Sequence, residues 1–87
     1  MADQEFQIRL RYARSRKRMT QEELAHAAGL NSRVDVSKYE NGINEPPLDK
    51  FRRLALALDV SADWLLGLEN FWDFKGQKRK VAKKEEG

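Results

Sequence analysis

Residues 20–42 read TQEELAHAAGLNSRVDVSKYENG, and this stretch decides the fold. Thr20 and Glu23 have the spacing of a capping box, in which each side chain accepts a hydrogen bond from the other residue's backbone amide. Gly29 favours a helix end, because left-handed backbone costs glycine little. A short turn follows, and a second helix is predicted from about residue 31 to residue 41. The stretch therefore predicts two short helices joined by a turn, which need packing partners to be stable.

Apolar side chains recur at helical spacing on both sides of this pair, and they predict three further helices. The first covers residues 5–18, and a fourth follows Pro46-Pro47, because proline is tolerated in a first helical turn. Ser61 is a suitable N-cap for a short fifth helix. The predicted apolar faces consist of Phe6, Ile8, Leu10, Tyr12, Ala13, Leu24, Ala25, Ala28, Val36, Tyr39, Leu48, Phe51, Leu54, Ala55, Leu58, Trp64, Leu65 and Leu68. The fold class predicted is all-α, with five helices.

The composition limits the chemistry that the chain can carry. Its 87 residues are enough for one small domain, which we place at residues 5–74. There is no Cys, hence no disulfide and no thiolate metal site, and the single His26 is expected at the surface. Paired carboxylates and a Gly-rich phosphate loop are also missing, so neither an enzyme nor a cofactor is indicated. Without a long apolar run or a signal peptide, we expect a soluble cytoplasmic protein.

The net charge of +3 is unevenly distributed. Residues 75–87 hold six basic and two acidic side chains, so residues 1–74 are left with a net charge of −1. We expect 75–87 to form a flexible basic tail. Three hypotheses remain open for the tail: an arm along nucleic-acid phosphates, a plain solvated tail, or a link to another segment.

Basic side chains of the predicted domain are concentrated in the first helix. Most of them lie off the apolar stripes, which indicates an exposed basic face, and Lys50, Arg52 and Arg53 are likewise placed on the solvent side of the fourth helix. A local patch attracts phosphates even on a nearly neutral domain. We predict phosphate contact for the group, with Lys17 and Arg18 as candidates, although a solvated role remains open for any single residue. The group consists of Arg9, Arg11, Arg14, Arg16, Lys17 and Arg18.

Several segments, taken in order, resemble the phage Cro and C1 repressor type (XRE-like) of helix-turn-helix DNA-binding domain. They are TQEELAHAAGL at 20–30, SKYENG at 37–42, the proline loop, and LDKFRRLALALDVSADWLLG at 48–67. The resemblance covers roughly residues 6–68. It implies a compact five-helix lambda-repressor-like bundle, in which the second and third helices form the helix-turn-helix and bind double-stranded DNA.

The resemblance also implies roles for individual residues. Gln21, with Thr20, looks like the phosphate contact at the start of the second helix, which fits the anion preference of a helix N-terminus. Arg14 and Glu40 match a structural ion pair of the family. Asn41 and the amides just after it look like a second phosphate contact.

One departure from the family pattern lies in the turn. Six residues separate Gly29 from Val36, where the family has five, and we predict that the extra residue lengthens the turn without changing the register of the third helix. Asp35 is favoured as a carboxylate at the helix start, where the dipole stabilises it. Arg33 and Lys38 have a phosphate contact as the alternative to base readout. In this register the side chains predicted to read bases are Arg33, Val34, Ser37 and Lys38.

The main functional hypothesis is a sequence-specific transcriptional regulator, acting as a repressor. One small domain offers few base contacts, so we expect a homodimer on a palindromic operator. The dimer interface is predicted near Trp64, Leu65 and residues 71–74. An alternative is a protein-binding module of the same fold, such as an antitoxin. A third is the control protein of a DNA-modification system, which would still bind DNA.

Overall fold

The computed structural model describes residues 4–72. Five helices and no strand occur in this range, which confirms the predicted fold class. The predicted basic tail, residues 75–87, lies outside the described residues. Between residues 4 and 72 no helix has the length and apolar character required to cross a membrane. The helices are α1 (Glu5–Arg16), α2 (Gln21–Ala27), α3 (Arg33–Glu40), α4 (Leu48–Leu58) and α5 (Ala62–Leu66).

Side-chain caps start three of these helices. The amide of Glu23 donates to Thr20 Oγ1 at 3.0 Å, and the amide of Thr20 donates to Glu23 Oε1 at 2.9 Å, so the predicted capping box is confirmed. Ser61 Oγ accepts from the amide of Trp64 at 2.9 Å, as expected of an N-cap. Ser32 caps α3 in the same way, through the amide of Val34.

The described helices also share one kind of ending. A residue with positive φ donates its amide to the carbonyl three residues back, and the next amide reaches the carbonyl five residues back, which is the Schellman arrangement. Two of these residues are not glycine and bear the cost of a Cβ in left-handed backbone, about 1–2 kcal/mol. The residues with positive φ are Arg18, Gly29, Gly42, Asp59 and Gly67.

The core is centred on Trp64, which is fully buried, and it takes side chains from all five helices. Most of the predicted apolar positions lie in it. Leu48 was predicted to do so, and this is wrong: the side chain is 82% exposed, because it lies in the first turn of α4 and nothing in residues 4–72 covers it. Leu68 is also exposed, since the chain leaves α5 at Gly67 before reaching it.

Candidate nucleic-acid interface

Helix α3 presents one exposed arc and one buried arc. Val36, Tyr39 and Glu40 are buried and face the rest of the domain. At about 100° per residue, the four side chains predicted to read bases span an arc of roughly 140° on the other side. Three of them are exposed and the fourth, Ser37, is half-buried. The helix begins at Arg33, directly after the cap Ser32, and its register is set by the buried side chains. That the extra residue lengthens the turn stays a prediction.

Glu40, at the end of α3, joins three helices. Its carboxylate is buried and accepts from Arg14 Nε at 2.6 Å and from Arg14 Nη2 at 3.1 Å. Gln21 Nε2 donates to the same carboxylate at 3.1 Å, and Arg11 Nη2 donates to the Glu40 carbonyl at 3.0 Å. The ion pair with Arg14 is the one that the family resemblance implies. The contributions of Gln21 and Arg11 have no local sequence signal, since their partners lie 19 and 29 residues away.

The start of α2 lies beside this junction. The amides of Gln21 and Glu22 are the first two of the helix, so they have no acceptor within it. The Glu23 amide, in contrast, is satisfied by Thr20. An anion near Gln21 would therefore meet two unsatisfied donors and the positive end of the helix dipole.

The end of α3 differs from the prediction made for it. The amides of Gly42 and Ile43 donate to the carbonyls of Tyr39 and Lys38, at 3.3 and 2.9 Å. They are therefore not available to a phosphate, and that part of the prediction is wrong, because the Schellman arrangement uses them. Asn41 Nδ2 donates to the Ser37 carbonyl at 2.9 Å, so its side chain would have to exchange this bond for a phosphate.

Asp35 lies in the first turn of α3, where the helix dipole favours a negative charge. Its Oδ2 is buried and has no hydrogen-bond partner among the described residues. Burial raises the pKa of the Tyr39 hydroxyl above its usual value of 10.0, and the negative charge of Asp35 raises it further. Tyr39 is therefore a neutral core residue at physiological pH.

Known proteins are similar to this chain in sequence and in fold. A family model described as helix-turn-helix matches residues 10–65. The chain belongs to the helix-turn-helix family. The uncharacterized HTH-type transcriptional regulator YobD of Bacillus subtilis (strain 168) is 37% identical over 73 residues, which cover 84% of this chain and 64% of YobD. The restriction-modification controller protein C.AhdI from Aeromonas hydrophila matches with a TM-score of 0.66 and 38% identity, over 70% of this chain and 91% of C.AhdI. The resemblance to Cro/C1-type domains is thereby confirmed.

The basic cluster of this helix-turn-helix domain is not one exposed face, and the prediction is wrong for Arg9. Its side chain is buried, and Nη1 donates to the carbonyls of Trp64 and Glu69, both at 2.8 Å. A guanidinium can do this because its planar fork reaches two acceptors at once. Lys17 and Arg18, in contrast, are exposed at the end of α1, as expected of phosphate contacts.

The predicted dimer interface is wrong in part. Trp64 and Leu65 are fully buried, because α5 inserts them into the core, so neither is available to a second chain. Phe71 packs back on Tyr12, with ring centroids 4.7 Å apart, whereas Trp72 is 80% exposed. Phe74 lies outside the described residues.

Three of the exposed apolar side chains of the domain lie together between α4 and α5. Leu48, Leu56 and Leu66 are 82%, 71% and 47% exposed, and they line a groove of about 800 Å³. Asp49 and Arg52 belong to the same lining and add one acidic and one basic side chain. We call this surface the α4–α5 groove. In residues 4–72 no group of three or more His, Asp or Glu side chains is arranged to hold a metal ion.

Proposed function

We propose that the protein is a sequence-specific regulator of transcription that binds double-stranded DNA as a repressor, rather than an enzyme. The exposed arc of α3 carries the proposal. It presents the long donors Arg33 and Lys38, with Val34 and Ser37 between them, while the opposite side of the helix is fixed in the core. A major groove admits one helix, and its base edges distinguish all four base pairs.

Each side chain on this arc has a role in the proposed complex. Arg33 is near the N-terminal end of α3 and bonds a guanine bidentately, while Lys38 makes a looser base contact. Val34, 47% exposed, packs on a thymine methyl group, and Ser37 adapts to either partner. Phosphates are held by Thr20 and Gln21 at the start of α2, by the Asn41 side chain, and by Lys17 and Arg18.

A salt titration tests the proposal. The logarithm of the affinity for a duplex should fall linearly with the logarithm of the salt concentration, with a slope near −0.9 for each neutralised phosphate. Arg33→Ala should relax the preference at one base position, whereas Lys17→Ala, which removes a proposed phosphate contact, should weaken all sequences about equally. An affinity that stays constant between about 50 and 200 mM salt would contradict DNA binding and favour the protein-binding alternative.

We also propose that the protein binds a palindromic operator as a homodimer. In this dimer the two copies contact each other through the α4–α5 groove. A two-fold interface needs a patch that complements itself. The groove meets this condition, since its leucines can pack on their symmetry mates while Asp49 of one chain faces Arg52 of the other. The Asp49–Arg52 pair within one chain is long, 3.9 Å, and both side chains are largely exposed. Asp49 Oδ2 already accepts from Arg53 at 2.7 Å, so Oδ1 is the oxygen left for Arg52 of the other chain.

Leu56→Lys should turn the dimer into a monomer, because it places a charge in the middle of the apolar surface. Sedimentation equilibrium measures the change in mass, and circular dichroism checks that the helices persist. Leu68→Lys is the matched control, since Leu68 is 73% exposed and does not line the groove. Equal masses for the two variants would rule out the α4–α5 groove as the interface.

A further inference from the structure

Arg53, on α4, contacts the turn that precedes α3. Its Nη1 donates to the carbonyl of Gly29 at 3.0 Å and more weakly to that of Ala28 at 3.4 Å. Its Nη2 donates to Asp49 Oδ2 at 2.7 Å, one helical turn back in the same helix. The guanidinium is thus oriented by one carboxylate and directed at two backbone oxygens, and we call these contacts the Arg53 clamp.

The clamp adds to the hydrogen bonding at the end of α2. The Schellman arrangement there satisfies the carbonyls of Ala25 and His26, through the amides of Leu30 and Gly29. The carbonyls of Ala28 and Gly29 lie beyond these bonds, and they are the ones that Arg53 binds. A cation is favoured at this position, because the negative end of the helix dipole lies there.

The clamp also lies where the turn is longer than in the family pattern. Between Gly29 and the cap Ser32 the chain makes no regular structure, and α3 begins at the next residue, Arg33. The direction in which the chain leaves Gly29 therefore affects the first turn of α3, which precedes its first buried residue, Val36. Space is tight at this point, since a Cβ on Gly29 would lie 3.0 Å from Arg53 Nη1.

We propose that Arg53 is a positioning residue for sequence recognition. It fixes the lengthened turn to α4, and thereby holds the first turn of α3 in the orientation needed to read bases. This inference rests on the proposed DNA-binding function. It adds that Arg53 contributes to specificity, that is, to the preference for the operator over other sequences. Arg53 does so although it lies outside the helix-turn-helix stretch and contacts no base.

Arg53→Ala and Lys50→Ala together test the proposal. Both remove one positive charge from α4, but only Arg53 contacts the turn in the described structure. The affinity is measured for the duplex that the wild-type protein selects from a random pool, and for the same duplex scrambled. We expect Arg53→Ala to lower the ratio of the two affinities about fivefold, equivalent to about 1 kcal/mol. Lys50→Ala should leave the ratio unchanged, even if both affinities fall together.

Amide hydrogen exchange without DNA provides a readout that does not depend on the proposed function. The Leu30 amide, bonded to the Ala25 carbonyl at 2.8 Å, reports on the turn. Its exchange should be about fivefold faster in Arg53→Ala and unchanged in Lys50→Ala. Arg53→Lys keeps the charge but cannot bond the turn and Asp49 with one planar fork, so it should give an intermediate rate and ratio.

The outcomes separate the two proposals. If the wild-type protein prefers no sequence, the proposed function fails, while the exchange rates still decide whether the clamp orders the turn. Faster exchange with an unchanged affinity ratio would overturn the positioning role, because the clamp would then serve stability alone. Identical exchange in Arg53→Ala and Lys50→Ala would overturn the clamp itself. If Arg53→Ala is unfolded, the exchange rate and the affinity ratio are measured on Arg53→Lys instead.

Discussion

The two halves of the basic cluster in α1 have different surroundings. In the first half, Arg9, Arg11 and Arg14 each donate to oxygens of residues far along the chain. In the second half, Arg16, Lys17 and Arg18 are exposed. The first three lie where α1 packs against α5 and α3, whereas the last three surround its end. A run of like charges in a sequence can thus combine residues that hold the fold with residues that are exposed to a ligand.

Arginine suits the first half of the cluster because its positive charge is spread over a planar guanidinium group. The Arg9 guanidinium lies 5.1 Å from the ring centroid of Trp64 and 5.4 Å from that of Phe71, in cation–π contact with both. It also bonds Glu5 Oε1 at 2.8 Å. A lysine in the same place would make fewer of these contacts at once. Together with the ring contact between Phe71 and Tyr12, this side chain therefore holds the segment after α5 on α1.

The largest expected effect is that of Arg9→Met. Methionine keeps the apolar part of the side chain but leaves the carbonyls of Trp64 and Glu69 without their donor. We expect the free energy of unfolding to fall by about 3 kcal/mol, measured by urea denaturation. Lys17→Met is the control from the second half of the cluster, and it should change the free energy of unfolding by less than about 0.5 kcal/mol. Equal urea midpoints for the two variants would contradict the division of the cluster.

Glu40→Gln should have the next largest effect. The substitution keeps the shape of the side chain but removes the charge that Arg14 binds with two hydrogen bonds. We expect a loss of about 2 kcal/mol in the free energy of unfolding. A double-mutant cycle with Arg14→Gln isolates the pair and should give a coupling energy of about 1.5 kcal/mol. Additive effects would mean that the ion pair contributes nothing of its own.

The features predicted correctly are encoded within a few residues. The cap at Thr20 and Glu23, the helix end at Gly29, and the cap at Ser61 each depend on neighbours along the chain. The register of α3 followed from the spacing of its buried residues. Local signals of this kind give the helices and the exposed arc of α3 before any tertiary contact is known.

The features that were missed depend on distant backbone atoms or on neighbouring helices. Arg9 and Arg53 bind carbonyl oxygens, and every residue has a carbonyl, so no sequence pattern marks the acceptor. The apolar spacing of α4 shows where Leu48 points but not whether another helix covers it. Similarly, the sequence shows that Trp64 is apolar but not how deeply α5 inserts it into the core. The prediction of a dimer interface near Trp64 was therefore wrong.

The smallest expected effect concerns Arg18, whose left-handed backbone lowers stability while its exposed charge is proposed to contact a phosphate. Its φ is +56°, and its amide donates to the Ser15 carbonyl, so it occupies the position that glycine holds after α2 and α3. Arg18→Gly should therefore raise the free energy of unfolding by about 0.5 kcal/mol, since the relief of strain exceeds the entropy that glycine costs. At the same time it should reduce the salt slope of DNA binding by about 0.9, because one phosphate contact is lost.

Arg18→Ala separates the two effects. Alanine removes the charge but keeps the Cβ. The salt slope of DNA binding should therefore again fall by about 0.9, while the free energy of unfolding should not rise. Thermal unfolding and a salt titration on each variant give both quantities. If Arg18→Gly gains stability and keeps the full salt slope, Arg18 does not contact a phosphate. The cost of holding an arginine in left-handed backbone would then have no counterpart in DNA binding.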